Sequence, residues 1–276
     1  MYFEKEIITS RNNQFVKWAS SLSEKKSRKE SGYFLAEGVK LTKEALEANL
    51  PVEYLIVSEN KKESVIGSIG EFCNSEKYEK TKFITVSEGV FEKISTEKAP
   101  QGVISVIKHL DFFRELDIIY KEEFFLKPEE KAIFLFSVRD PSNLGAVIRS
   151  SVAFGTDHVV LSEDCADIYN PKTIRSAMGS LFRVKITTVK DVASFIKAAQ
   201  DNSRRVFAAE LTEDAISLDQ IGLKGSDVVI IGNEGHGIDP EISVLCDNSV
   251  YIPISKKTES LNASVAAAIF MWEQRK

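Results

Sequence analysis

Residues 132–145 read Ala-Ile-Phe-Leu-Phe-Ser-Val-Arg-Asp-Pro-Ser-Asn-Leu-Gly, in which seven uncharged residues pass directly into a polar loop. An apolar run such as 132–138 is typical of a strand that is buried on both faces of a parallel sheet. The polar loop leads into a predicted helix at Leu144–Phe154, with Asn143 as its N-cap. This strand–loop–helix unit predicts an α/β fold with a parallel sheet.

The same alternation of strand and helix continues to the end of the chain, which predicts a doubly wound α/β domain at 132–276. The further predicted strands are His158–Leu161, Val184–Thr187, Arg205–Leu211, Asp227–Gly232 and Tyr251–Ile254. The further predicted helices are Pro171–Ser180 with Asn170 as N-cap, Asp191–Gln200, Pro240–Leu245 and Leu261–Gln274.

A smaller α/β unit precedes this domain, at residues 1–108. Its strands are predicted at 33–37, 52–57, 82–86 and 102–107, and its helices at 39–48 and from Ser87 onwards. Residues 109–131 hold five aromatic and eleven charged side chains. We interpret them as a partly structured connector between the two domains, because free linkers seldom carry so many aromatic residues.

Composition limits the classes of function. The 276 residues are 43% hydrophobic, and no apolar run approaches the roughly 18 residues that a membrane span requires. Nor does the chain start with the apolar stretch of a signal peptide. The three cysteines match no metal-ligand spacing and are predicted to be buried apolar side chains in a reducing cytoplasm, namely Cys73, Cys165 and Cys246. The sequence predicts a cytoplasmic protein without a membrane segment or a metal site.

The net charge of −5 is not spread evenly along the chain. Residues 1–108 hold 17 Lys and Arg against 16 Asp and Glu, a net of +1, which leaves −6 for the remainder. Four of these cations fall within five residues, namely Lys25, Lys26, Arg28 and Lys29. Such a cluster can bind RNA phosphates, although a solvated helix end has the same composition.

Three predicted loops lie at carboxyl ends of strands, where ligands of an open parallel sheet bind. The first holds Asn143 and leads into a helix that carries Arg149. The second holds Glu234 among three glycines, and the third ends in Ser260-Leu-Asn262. Each of these residues could serve as a helix cap or turn residue alone. Their collection at one sheet edge indicates a ligand site.

Other chemistries find no carrier in these loops. The glycines of the second loop follow the order G-x-x-G-x-G, which is neither the dinucleotide-binding order nor a phosphate-binding loop. The three histidines are widely spaced, at 109, 158 and 236. No Ser-His-Asp or His-metal constellation is visible, so hydrolytic and metal-assisted reactions are disfavoured.

The three loops resemble the motifs of the SpoU family of RNA ribose methyltransferases, within the SPOUT superfamily. The first reads N-x-G-x-x-x-R from Asn143 to Arg149. The second reads Ile-Gly-Asn-Glu-Gly-His-Gly-Ile at 231–238, and the third combines Ile-Pro-Ile-Ser at 252–255 with Ser-Leu-Asn-Ala-Ser-Val-Ala at 260–266. All three occur in the family's order with close to the family's spacing, so the set is highly specific.

Upstream residues resemble the substrate-binding domain that is often fused ahead of this catalytic domain, which is similar to ribosomal protein L30e. The resemblance rests on Ile-Thr-Ser-Arg-Asn at 8–12, the basic residues at 25–29, Phe-Leu-Ala-Glu-Gly at 34–38 and Ala-Pro-Gln-Gly-Val at 99–103. It implies that Arg11 and the four clustered cations bind RNA. The match covers nearly the whole chain, and the connector is its least familiar part.

The resemblance also implies a fold and a cofactor. The carboxyl-terminal part of such domains forms a deep trefoil knot, which general topology rules would exclude. S-adenosyl-L-methionine (AdoMet) would bind in the knot, beside Leu211, Gly232, Ile252, Ile254 and Leu261. At Ile254 the family often has Met. Family members are homodimers, in which the arginine of the first motif reaches the cofactor site of the other subunit.

The implied reaction is methyl transfer from AdoMet to a ribose 2′-hydroxyl of structured RNA. The catalytic site would consist of Arg149, Asn143, Glu234, Ser260 and Asn262. Ribosomal RNA, above all 23S rRNA, is favoured over tRNA because the upstream domain resembles a ribosomal RNA-binding module. The alternatives are a tRNA 2′-O-methyltransferase, a base methyltransferase of the superfamily and a non-catalytic ribosome-assembly factor. The intact set of motif residues disfavours the last of these.

Overall fold

The computed structural model describes residues 1–4, 6–73 and 75–275, without the side chains of Tyr2, Phe3 and Cys73. The chain forms two compact units. Unit 1 comprises Met1–Leu110 and Asp167–Phe182, and unit 2 comprises Asp111–Ala166 and Arg183–Lys276. Within these described ranges, no helix is long and apolar enough to cross a bilayer.

The two units contain one sheet each. Unit 1 has a five-stranded mixed sheet of order β1-β4-β3-β5-β2, in which β5 runs antiparallel to β3 and β2. Its strands are β1 (Tyr2–Phe3), β2 (Tyr33–Glu37), β3 (Val52–Ser58), β4 (Lys82–Val86) and β5 (Val103–Lys108). Unit 2 has an eight-stranded sheet of order β11-β13-β10-β12-β7-β8-β9-β6, in which every pair is parallel. Its strands are β6 (Phe113–Leu116), β7 (Ala132–Leu135), β8 (His158–Ser162), β9 (Lys185–Val189), β10 (Val206–Ala209), β11 (Ile216–Ser217), β12 (Val228–Ile231) and β13 (Asn248–Tyr251).

Helices cover the sheets of both units. Unit 1 contains α1 (Gln14–Ser21), α2 (Lys25–Ser31), α3 (Val39–Glu47), α4 (Lys62–Cys73), α5 (Glu88–Ile94) and α7 (Pro171–Ala177). Unit 2 contains α6 (Pro141–Phe154), α8 (Val192–Asp201), α9 (Leu218–Ile221), α10 (Pro240–Ser243) and α11 (Ala263–Gln274). The predicted parallel α/β domain is present, and its strands β7, β8 and β12 are fully buried, as their apolar runs indicated.

The first helix of unit 2 begins earlier than predicted. The N-cap of α6 is Asp140, whose carboxylate accepts the N–H groups of Ser142 (2.8 Å) and Asn143 (3.0 Å). Pro141 occupies the first turn, where its fixed φ and missing N–H cost nothing. The prediction of Asn143 as N-cap is therefore wrong, and its side-chain amide is released for other contacts.

The predicted position of the last strand is also wrong. The strand lies at Asn248–Tyr251, paired with β10 and β11, and not at Tyr251–Ile254. Pro253 has no N–H to donate to a sheet, which explains why an apolar segment ends its pairing here. Residues 252–262 instead form an extended loop before α11.

Two further segments depart from the predicted division of the chain into an upstream domain, a connector and a catalytic domain. The predicted connector contributes β6, which pairs with β9. The segment Asp167–Phe182 packs within unit 1, where the ring of Tyr169 stacks on Phe34 at 4.6 Å between centroids. Among the cysteines, Cys165 is buried and Cys246 only half-buried, while the side chain of Cys73 lies outside the described residues.

His158 lies buried in the core of unit 2, with Nε2 at 2.7 Å from Thr187 Oγ1 and the ring of Phe125 beside it. Burial lowers the pKa of His158 from 6.5 to about 4. Because the folded protein favours the neutral ring, the unfolded chain takes up the proton first as the pH falls. The stability contributed by the neutral ring is complete above pH 6.5 and is lost towards pH 4.

We expect the free energy of unfolding to fall by about 2 kcal/mol between pH 6.5 and pH 5 because of His158 alone. In the variant His158→Gln this part of the pH dependence should disappear. Urea unfolding of both proteins at pH 7, 6.5, 6 and 5 measures the difference, and the other titrating groups are common to both. Equal pH dependence of the two proteins would contradict this assignment.

Candidate active site

Three loops at the carboxyl edge of the unit 2 sheet are joined through the side chain of Asn143. Its Nδ2 donates to Glu234 Oε1, and its Oδ1 accepts from Asn262 Nδ2 at 3.0 Å. Asn262 also caps α11, since its Oδ1 accepts the N–H of Ser264 at 2.9 Å. The structure therefore brings together three of the five residues predicted for the catalytic site.

The glycine-rich loop at 232–237 is closed on itself. Asn233 and Gly237 exchange backbone hydrogen bonds of 3.0 and 2.9 Å, and Gly237 has a φ of +70°. A Cβ on Gly232 would lie 2.5 Å from the carbonyl carbon of Gly237, which only glycine avoids. Asn233 Nδ2 donates to the carbonyl of Ser137 at 2.8 Å and so ties this loop to the one that follows β7.

A cavity of about 520 Å³ opens between the ends of β10 and β13 and the loop before α11. Apolar side chains form most of its wall, among them Leu211, Ile252, Ile254 and Leu261. Leu211 is 77% exposed, so its side chain is available to a ligand. Gly232, also predicted for the cofactor, is not among the described residues that line the cavity.

The other two predicted catalytic residues lie apart from the Asn143 contacts. Ser260 lines the cavity, and its carbonyl accepts from Thr258 Oγ1 at 3.3 Å. Arg149 is exposed on α6, ~9 Å further along the helix axis than Asn143. The side chain of Arg149 makes no hydrogen bond or ion pair with another residue of the described ranges.

The basic cluster of unit 1 divides into exposed lysines and one buried arginine. Lys25, Lys26 and Lys29 are exposed on α2. Arg28 is 2% exposed and donates to the carbonyls of Leu22 and Ser23 and to Asp167 Oδ2 at 2.6 Å. The prediction that Arg28 binds RNA is therefore wrong, because its charge and three of its donors are used within the fold.

Arg11, predicted from the first motif of the upstream domain, stays at the surface. Its side chain is 60% exposed and lies 3.8 Å from Glu92, and its Nε donates to the carbonyl of Gly89 at 2.8 Å. The hydrogen bond at Nε holds one edge of the guanidinium in place, and the rest of the group stays partly accessible.

The sequence did not predict a hydrogen-bonded cluster around Asp164, beside the loop that precedes α6. Ser137 Oγ (2.5 Å) and Arg139 Nη2 (3.0 Å) donate to Asp164 Oδ2, and Ser162 Oγ donates to Asp164 Oδ1 at 2.7 Å. Burial opposes ionisation of Asp164, but these three donors outweigh it and hold the pKa of the carboxyl below its ordinary value. The position of Asp164 just after β8 was a signal for it; nothing in the sequence marked Ser137.

Within the described residues, no group of three His, Cys, Asp or Glu side chains is placed to hold a metal ion. The polar groups at this edge are amides, carboxylates, serines and arginines, and an apolar cavity opens at the same edge. Such a set can bind a small molecule through its apolar surface and orient a polar substrate beside it.

Comparison with known proteins identifies the family. Residues 130–272 match the SpoU rRNA Methylase family, and residues 13–105 match the MRM3-like substrate binding domain. The chain belongs to the SpoU rRNA methylase family. The predicted resemblance and the prediction of an RNA-modifying methyltransferase are confirmed at this level.

Two curated relatives match this SpoU rRNA methylase over nearly its whole length. It is 31% identical to the 23S rRNA (guanosine(2553)-2′-O)-methyltransferase RlmP of Bacillus subtilis, over 97% of this chain and 98% of the relative. It is 28% identical to the 23S rRNA (uridine(2479)-2′-O)-methyltransferase of Streptomyces viridochromogenes, over 96% and 90%. The AdoMet-bound rRNA methyltransferase from Sinorhizobium meliloti has a TM-score of 0.79 at 27% identity, over 98% and 97% of the two chains. Both predicted α/β units thus belong to one recurrent arrangement along the chain.

We expect Gly232→Ala to destabilise this SpoU rRNA methylase by about 1–3 kcal/mol, because its Cβ would overlap the backbone of Gly237. Gly235→Ala is the matched control in the same loop, since a Cβ there meets only Asn233 Oδ1 at 3.4 Å. Its effect should stay within about 0.5 kcal/mol. Urea unfolding measures both, and equal losses of stability would show that the close approach at Gly232 is unimportant.

Proposed function

We propose that this SpoU rRNA methylase transfers a methyl group from AdoMet to a ribose 2′-hydroxyl of rRNA, with 23S rRNA as the favoured substrate. The observation that carries the proposal is the junction of Asn143, Glu234 and Asn262 beside an apolar cavity. The names of the two 23S rRNA relatives and the match to a substrate-binding domain support the same reaction.

The cavity fits AdoMet in size and in the chemistry of its wall. Its volume lies in the range of small-molecule sites, ~300–1,000 Å³. Residues 252–262 lie outside helices and strands, so their backbone groups can donate to and accept from a polar ligand. Leu211, Ile252, Ile254 and Leu261 would enclose the cofactor, with Gly232 at the neighbouring loop. When bound, AdoMet supplies an activated methyl group on a sulfonium.

The protein must then place a ribose 2′-oxygen in line with that methyl group. Positioning of this kind can lower a barrier by several kcal/mol. The hydroxyl proton must leave or be strongly hydrogen-bonded as the oxygen attacks. A guanidinium seldom loses a proton in a protein, so Arg149 would bind the target phosphate and stabilise the developing negative charge. Asn143, Glu234, Ser260 and Asn262 would orient the loops and the ribose.

We also propose that two subunits pair through the catalytic domain. Arg149 is exposed and has no partner among the described residues of its own chain, as expected if it acts in the other subunit. The helix α11 packs on α6, and it exposes Val265 (47%) and Trp272 (46%), which a second subunit would cover. A trefoil knot stays part of this proposal, because the chain belongs to the family whose resemblance implied it. The cytoplasm stays the predicted location.

The reaction is tested with purified protein, unmodified 23S rRNA transcript, tRNA and methyl-labelled AdoMet, followed by digestion to nucleosides. We expect label in 2′-O-methylribose from the 23S transcript, and Arg149→Ala should lose at least 99% of it while AdoMet affinity changes less than twofold. Label on a base or only in tRNA would replace the proposed substrate. No label despite AdoMet binding would favour a non-catalytic assembly factor.

The three lysines of α2 give a separate prediction about RNA binding. Lys25 and Lys29 lie one helical turn apart and so share a face. Reversing both to Glu should reduce the slope of log affinity against log salt by about two, one for each phosphate that the variant no longer neutralises. The matched control reverses Lys77 and Lys80, which are also exposed. Fluorescence anisotropy with the 23S transcript measures both, and equal slopes would contradict a role for α2.

A further inference from the structure

The loop between β7 and α6 contains a backbone conformation that needs a reason. Ser137 has a φ of +56°, in the left-handed region that residues other than glycine seldom adopt. Such a conformation is strained and persists only where its surroundings enforce it. Here the N–H of Ser137 donates to Ser162 Oγ at 2.8 Å, and its carbonyl accepts from Asn233 at 2.8 Å.

The left-handed turn allows Ser137 to serve two neighbours at once. Its carbonyl holds the glycine-rich loop that carries Glu234, while its hydroxyl donates to Asp164. Asp164, fixed by two serine hydroxyls, in turn accepts from Arg139 Nη2 at 3.0 Å. The side chain that this network orients is therefore Arg139, which lies in the loop before α6, four residues before Asn143.

Stability does not account for this arrangement. The side chain of Arg139 is 69% exposed and that of Asp164 is 43% exposed. Exposed ion pairs of this kind contribute little to the stability of a fold. A strained serine and a charged carboxylate that together yield one exposed ion pair indicate a role in binding rather than in folding.

The chemistry of the oriented group matches a phosphate. A guanidinium has five N–H donors in a planar fork, and Arg139 uses only Nη2, on one carboxylate oxygen. No other residue of the described ranges accepts from its Nε or Nη1. Those donors remain for an anion, and planar pairs of N–H groups bind phosphate oxygens in a bidentate manner.

We infer that Arg139 binds a backbone phosphate of the target RNA next to the nucleotide that is methylated. This inference rests on the proposed function and adds to it a positioning residue outside the N-x-G-x-x-x-R motif. Phosphate contacts fix the register of a nucleic acid and carry no base information. Arg139 would therefore hold the strand at the sheet edge where Asn143 joins the three loops, and Asp164 would keep its guanidinium aimed there.

The test compares Arg139→Ala, Arg139→Lys and the control Arg183→Ala. Arg183 is also exposed, but it precedes β9 and so lies towards the opposite, amino edge of the same parallel sheet. Each protein is assayed for methyl transfer to unmodified 23S rRNA transcript over a range of RNA and salt concentrations. AdoMet affinity is measured separately by calorimetry.

For Arg139→Ala we expect KM for RNA to rise about tenfold, with kcat and AdoMet affinity changed less than twofold. The slope of log(kcat/KM) against log salt should fall by about one, as expected when one phosphate is no longer neutralised. Arg139→Lys should restore the slope, because it keeps the charge, and Arg183→Ala should behave as the wild type.

Three results would overturn the inference. If Arg139→Ala matches Arg183→Ala in KM and salt slope while the wild type is active, Arg139 does not touch the RNA and the proposed function stands. If the loss instead appears in AdoMet affinity, the network supports the cofactor cavity and not the RNA. An inactive wild type with intact AdoMet binding would contradict the proposed function itself, and the inference would fall with it.

Discussion

The arrangement of the catalytic edge depends on the side-chain amide of Asn143. One planar group accepts from Asn262 and donates to Glu234, and so joins segments that lie 119 and 91 residues away in sequence. A hydrogen bond to a carboxylate is stronger than one between neutral groups, and an amide can donate and accept at once. The amide is available only because Asp140 caps α6 in its place. Without that cap, the side-chain oxygen of Asn143 would accept hydrogen bonds from backbone N–H groups of the helix. The hydrogen bonds that join the three loops would then be lost.

Much of this fold follows from local sequence patterns. The strands at 33–37 and 82–86 match the prediction to the residue, because alternation and β-branched side chains end there in charged or capping residues. The predicted position of the strand near Tyr251 is wrong because Ile252 and Ile254, although apolar, line the cavity and do not pair in the sheet. Apolarity alone does not separate these two uses.

The convergence of the site residues could be predicted from the sequence, but two features of the structure around them could not. Parallel strands place their carboxyl ends at one edge, so the convergence of Asn143, Glu234 and Asn262 follows from topology. The burial of Arg28 could not be foreseen, because its partner Asp167 is 139 residues away. The left-handed conformation of Ser137 has no sequence signal either, since only contacts from other loops hold it.

The segment Asp167–Phe182 belongs to unit 1, and this limits how such chains can exchange domains during evolution. Tyr169 stacks on Phe34, and its hydroxyl accepts the N–H of Leu110 at 2.8 Å, while Asp167 neutralises Arg28. The upstream unit is thus completed by residues encoded within the methylase region. Unit 1 therefore cannot be exchanged between relatives as residues 1–110 alone. An exchange has to include the sixteen residues Asp167–Phe182. Without them, Phe34 would lose its stacking partner and the buried Arg28 would lose its carboxylate.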